Sequence, residues 1–254
     1  MIKITKILIV FIMLFNSAFS KDLDPKSIIA KANKEYKNQN FEAALESYSS
    51  VLHQGLVSSE LYYNIGNTYY RMGRMGYAIL NYEKALKLAP GDDDIKHNLS
   101  VANAHTADKI EVLPKLFLIE WWDSLVMLFT VNGWAFIFIL TFILFLSTIG
   151  FYYYFRNSEY QKSLFFLGIF NLIFLVFVFT LFLVRLNDET SNEFGILIET
   201  SANVKVSPDY DSNDAFIIHE GIKFKIEDKV ENWTKIKLKD GKVGWLNNNN
   251  YKSI

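Results

Sequence analysis

Two long uncharged runs constrain this chain more than anything else in it. Residues 134–155 read WAFIFILTFILFLSTIGFYYYF, and residues 163–184 read SLFFLGIFNLIFLVFVFTLFLV. As a helix, either run would be roughly 33 Å long, which matches the roughly 30 Å hydrocarbon core of a bilayer. Helices in the core of a soluble protein are seldom apolar on every face for this length. A hairpin buried inside a soluble protein is the competing reading. The link 156–162 is too short for a domain, so the runs predict two antiparallel spanning helices with both flanking segments on one side. Tyr152, Tyr153, Tyr154 and Tyr160 fall at one boundary and Trp134 at the other, as in an aromatic belt.

The segments around the hairpin are modest in size. The chain has 254 residues and a formal net charge of −1, a balance that gives no support for nucleic-acid binding. It contains no cysteine, which excludes disulfides, thiolate metal sites, cysteine nucleophiles and a lipidated N-terminal cysteine. Residues 1–20 read as a signal peptide: Lys3 and Lys6 precede an apolar core, and Ala18 and Ser20 occupy the positions a signal peptidase reads. An uncleaved anchor is the alternative. Either way the chain leaves the cytoplasm, and Arg156 and Lys162 in the link agree weakly with an inside location. The expected topology is a two-pass protein of the bacterial inner membrane with both soluble parts periplasmic.

Residues 25–107 carry an internal repeat with a period of 34. Ala32-Asn33 aligns with Gly66-Asn67, Tyr36 with Tyr70, Ala44 with Ala78, Tyr48 with Tyr82 and Leu52 with Leu86. That period in helical sequence is the tetratricopeptide repeat. Small residues at 32/66 and 44/78 let paired helices cross closely, and the aromatics at 48/82 fill the space beside them. The first copy departs from the pattern at Glu35, Gln39 and Leu56, where the second has Tyr69, Gly73 and Pro90. Asp92-Asp93-Asp94 predicts the start of a capping helix that runs to about residue 107. Arrays of this kind commonly present a groove lined by the first helix of each repeat. Here that nominates Asn33, Tyr36 and Lys37 in one copy and Tyr63, Asn67, Tyr70 and Arg71 in the other as partner-binding residues. Residues of a solvated face are the plainer alternative.

Residues 108–133 form a collar. Pro114 suits the first turn of a helix, and Trp121-Trp122 with Leu125, Val126 and Leu128 suggests an amphipathic helix at the interface. The alternative is an early start of the first spanning helix. Residues 185–193 read as a polar linker. Residues 194–254 alternate polar and apolar in five or six short runs, with Asp240-Gly241 as a hairpin turn, which predicts a small all-β barrel. Val204-Lys205-Val206-Ser207-Pro208 and Asp240-Gly241-Lys242-Val243-Gly244-Trp245-Leu246 resemble a bacterial SH3 domain. Tyr210, Trp233 and Trp245 are its candidate ligand surface, with Trp245 equally placed for the core. The expected fold class is thus a multi-domain membrane protein: an all-α repeat array, a two-helix transmembrane hairpin and a small SH3-like barrel.

No chemistry of catalysis is visible. His53, His97, His105 and His219 lack zinc-ligand spacing, and there is no GxSxG motif and no P-loop. No enzyme, metal or cofactor is expected. Asn171 in the second apolar run suits a helix-to-helix hydrogen bond.

The order of modules, together with Asn98-Leu99, Asp108-Lys109-Ile110-Glu111-Val112-Leu113-Pro114, Trp121-Trp122 and Asn132-Gly133-Trp134, resembles the BatE-type proteins of Bacteroides-like aerotolerance operons. The resemblance implies as partners membrane proteins with von Willebrand A domains and a BatD-like protein, with a MoxR-type ATPase acting indirectly. The implied process is aerotolerance or envelope stress. A scaffold that holds protein partners at the lipid bilayer is the leading expectation. The alternative is a cell-wall sensor whose SH3-like domain binds peptidoglycan peptides.

Overall fold

A computed structural model describes residues 24–109, 114 and 116–254; the leader 1–20 lies outside the described residues. The elements are α1 (Pro25–Lys37), α2 (Phe41–His53), α3 (Ser59–Arg71), α4 (Met75–Leu88), α5 (Asp93–Ala104), α6 (Phe117–Val126), α7 (Val131–Tyr154) and α8 (Gln161–Thr190). They continue with β1 (Phe194–Leu197), β2 (Ser201–Lys205), β3 (Asp214–His219), β4 (Lys223–Val230), β5 (Trp233–Lys237), β6 (Val243–Asn247) and β7 (Tyr251–Ser253). The described residues fall into two compact units, divided between Val57 and Ser58.

The first unit is the helix pair α1–α2. Asp24 caps α1 by accepting from the Lys26 amide, and Pro25 occupies the first turn, where its missing N–H is harmless. Ala32, Ala44 and Val51 are buried, and Tyr48 is buried with them. The turn to α2 passes through Gln39 at φ 63°, the left-handed region.

In the second unit the same construction recurs in α3–α4, and Gly73 takes the Gln39 position at φ 74°. Ser58 caps α3 through the Leu61 amide. Gly66 is required by close approach, since a Cβ there would lie 2.7 Å from the Tyr82 ring. Asp92 caps α5 by accepting from the Asp94 and Ile95 amides, and Ile95, Leu99 and Ala102 close over α4. The capping helix ends at Ala104, three residues short of expectation, and Thr106 folds back to donate to the Asn103 carbonyl.

Helices α7 and α8 are long and apolar enough to cross a membrane. They pair antiparallel: Phe138 meets Phe179 at 5.1 Å between ring centroids, and Asn171 donates to Thr148 Oγ1 at 2.8 Å. The collar helix α6 starts at Phe117 rather than at Pro114. It is tied to α7 by the Trp134 indole, which donates to the Val126 carbonyl at 3.0 Å.

The β domain is a seven-stranded antiparallel sheet in the order β3-β2-β6-β5-β4-β1-β7. It is open, which corrects the expected SH3-like barrel. β3 pairs only with β2, and the three-residue β7 pairs only with β1. Among the described residues no strand closes the β1–β7 side; helix packs there, with Ile196 and Ile254 buried in one cluster with Ile79 and Ala85 of the repeat and Ile95 of the cap. A separate cluster fills the inside of the sheet, with Val204, Ile218, Phe224, Ile236 and Leu246 almost fully buried.

Polar contacts complete the junction between sheet and repeat. Glu220 accepts from the Gly76 amide at 2.7 Å and so caps α4, which has no side-chain cap of its own. Lys223 meets Glu83 at 2.7 Å, and the His219 backbone amide donates to Asp108 Oδ2 at 2.7 Å while its ring Nδ1 lies 2.8 Å from Asp108 Oδ1. The expected linker 185–193 is also corrected. Helix α8 runs on to Thr190, because the buried Arg185 donates to the Lys87 carbonyl and Lys87 in turn donates to the Ser191 and Ile254 carbonyls.

Candidate partner-binding site

The nominated residues of each copy fall on the first helix of a repeat. In α1, Asn33 and Tyr36 are half-buried and Lys37 is exposed. Asn33 accepts from the Tyr48 hydroxyl at 2.5 Å, and Tyr36 lies edge-on to Phe41 with ring centroids 5.6 Å apart. These contacts commit Asn33 to its own repeat. Lys37 stays accessible.

In α3 the equivalent asparagine is committed more heavily. Asn67 Oδ1 accepts from the Tyr82 hydroxyl at 2.7 Å and from Asn98 at 2.8 Å, and Asn98 also donates to the Tyr63 hydroxyl at 2.9 Å. The pair Asn33–Tyr48 and the pair Asn67–Tyr82 are both 15 residues apart, so the repeat period extends to this hydrogen bond. The cap helix α5 supplies the third member, Asn98, which the sequence offers only as part of the Asn98-Leu99 resemblance and not as a groove residue. Its bonding role has no local signal beyond its position on the helix after the repeat.

Tyr70 is half-buried against His105 of the cap, edge-on at 5.8 Å, and Arg71 is exposed at the end of α3. Tyr69 stacks on Tyr77 at 4.9 Å around the Gly73 turn. Burial raises the Tyr69 hydroxyl above its ordinary pKa, reinforced by Tyr77 and opposed by Arg74. The accessible part of this face is therefore Tyr63, Tyr70, Arg71 and His105. It is an aromatic and cationic strip backed by a rigid, internally bonded row. Such a surface can stack on and hydrogen-bond a peptide segment; it has no nucleophile–base pair.

In the β domain, Tyr210 is 66% exposed and its ring lies 4.9 Å from that of Trp233, which is 6% exposed. Asn247 donates to the Tyr210 hydroxyl at 2.9 Å. Trp245 is half-buried on the strand that meets β2 at Lys205. The structure thus brings Tyr210 and Trp233 together and places Trp245 two residues from Asn247, along β6. Among the described residues no cluster of histidines and carboxylates could hold a metal ion.

The tetratricopeptide repeat family matches residues 59–92, the span of α3, α4 and the turn after them. No curated protein matches the chain. The repeat is a non-catalytic fold for protein–protein interaction, and it supports a scaffold role.

Proposed function

We propose that the chain is a membrane-anchored, non-enzymatic scaffold whose α3–α5 face holds a segment of a protein partner. The observation that carries this reading is the repeat itself, with Tyr70 and Arg71 accessible on its first helix while the β sheet packs on its second. Sheet docking leaves the binding face open and stiffens its back. The membrane part of the reading rests on α7 and α8, whose most apolar windows are only 17% and 22% buried. The core helix of a soluble protein would be mostly covered. Leader, link charges and aromatic boundaries favour a periplasmic location for both soluble parts.

The BatE-like order of modules points to an aerotolerance or envelope-stress complex, with von Willebrand A-domain membrane proteins and a BatD-like protein as partners and a MoxR-type ATPase further off. Crosslinking of the tagged full chain in its native membrane, with mass spectrometry of the captured proteins, tests this. Recovery of those proteins from wild type and their loss from Arg71→Glu is the expected result. Recovery that is unchanged by Arg71→Glu would count against the face. A peptidoglycan-peptide ligand for the β domain is the second reading, favoured by the exposed Tyr210 ring on Trp233. Binding of the full chain to purified wall, and its loss in Tyr210→Ala, would support it.

A further inference from the structure

A cavity of about 470 Å³ opens where the repeat, the collar helix, the end of α8 and the first strand meet. Four cations line it, Lys87, Lys96, Arg185 and Lys223, and four carboxylates, Glu83, Asp123, Asp188 and Glu193. Leu86, Pro90, Ile254 and the half-exposed Met127 add apolar surface to the lining. Arg185 is 3% exposed, and its Nε is buried with no hydrogen-bond partner among the described residues. Lys87 gives two of its three donors to carbonyls, which leaves one. Burial, reinforced by Lys223 and Arg185 and opposed by Glu189 and Asp188, holds the Lys87 ammonium below its ordinary pKa.

The height of this cavity is informative. Arg185 comes directly after the uncharged run 163–184, and Ser191 lies six residues further along. That is roughly 9 Å of helix, enough to span the headgroup layer of about 5–8 Å on one side of a bilayer. The collar residues Leu128 and Phe129, both exposed, continue from Met127.

We infer that this cavity is a binding site for a zwitterionic phospholipid headgroup carrying a primary ammonium, that is, a phosphatidylethanolamine. This rests on the reading of α7 and α8 as membrane-spanning. The phosphate lies against Lys87 with the Arg185 guanidinium behind it, and the ammonium lies toward Asp188 and Asp123. Equal numbers of acidic and basic side chains disfavour a purely anionic headgroup. A trimethylammonium cannot donate hydrogen bonds and needs an aromatic face. The one ring at the site, Phe194, already carries the Lys223 ammonium 4.9 Å from its centroid.

The test is native mass spectrometry of the full chain released from nanodiscs. These contain phosphatidylethanolamine, phosphatidylcholine and phosphatidylglycerol in equal amounts with the same acyl chains. Wild type should retain phosphatidylethanolamine over phosphatidylcholine by roughly tenfold, the worth of one charge-assisted hydrogen bond. Asp188→Asn, at an exposed position, should fold normally and shift retention toward phosphatidylglycerol. Equal retention of all three lipids by wild type, or an unchanged profile in Asp188→Asn, overturns the inference. A chain that stays in solution without detergent and never enters nanodiscs would instead overturn the membrane reading beneath it.

Discussion

Gln39 and Gly73 stand 34 residues apart, and both adopt the left-handed backbone at a turn between paired helices. Glycine enters that region freely, whereas a side chain there costs roughly 1 kcal/mol. Gln39→Gly should therefore stabilise the α1–α2 pair by up to about 1 kcal/mol, read as a higher midpoint in denaturant. Gly66→Ala should do the opposite in the second unit. Its Cβ would fall 2.7 Å from the Tyr82 ring, and overpacking of this kind costs about 1–3 kcal/mol. A thermal melt monitored by circular dichroism checks it. Asn67 was legible as a groove residue from its spacing, but its carbonyl is spent on Tyr82 and Asn98. Asn67→Ala should lower the melting temperature as well as any partner capture, since it removes the oxygen that accepts from the Tyr82 hydroxyl and from Asn98.

Lys84 illustrates a pH effect at the same scale. Burial, with Lys87 and Lys252 nearby, holds its pKa below the ordinary lysine value. A depressed lysine disfavours the folded state while both states are charged. Stability should rise as pH climbs through the folded value toward the unfolded one. Lys84→Gln should flatten that rise in a series of alkaline melts.

Among the elements, α4 depends most visibly on a distant neighbour. Its own N-cap residue, Arg74, contributes no side-chain bond, and Glu220 from the turn before β4 caps it instead. Glu220→Ala should cost about 1 kcal/mol, the usual worth of a cap, and should speed amide exchange in the first turn of α4. In the sequence Glu220-Gly221 reads only as a turn before a strand. A cap contributed from 144 residues away leaves no local signal. The strands themselves were legible, because period-2 alternation marks a half-buried face. Closure was not: whether β7 finds another strand or a helix depends on the element that packs beside it.

For the whole molecule, the decisive contact is the docking of the sheet on the repeat. It draws the β domain, the end of α8 and the second repeat into one compact unit, and the division of the chain then falls at Val57 and Ser58. Arg185 sits at the hub of this arrangement, buried and bonded to the Lys87 carbonyl. Arg185→Ala should fray the last turns of α8, seen as faster hydrogen exchange in residues 186–193, while the paired apolar part of the hairpin keeps its protection. By itself the sequence determined the two apolar helices, the 34-residue period with its small-residue crossings and aromatic fillers, the cap at Asp92 and the all-β character of residues 194–254. Those features rest on periodicity and on contacts a few residues long. Only the tertiary structure decided that the sheet stays open, that 185–190 is helix rather than linker, and that Asn67 is bonded inward. Each of these is set by contacts from elsewhere in the fold, whose partners no local pattern names.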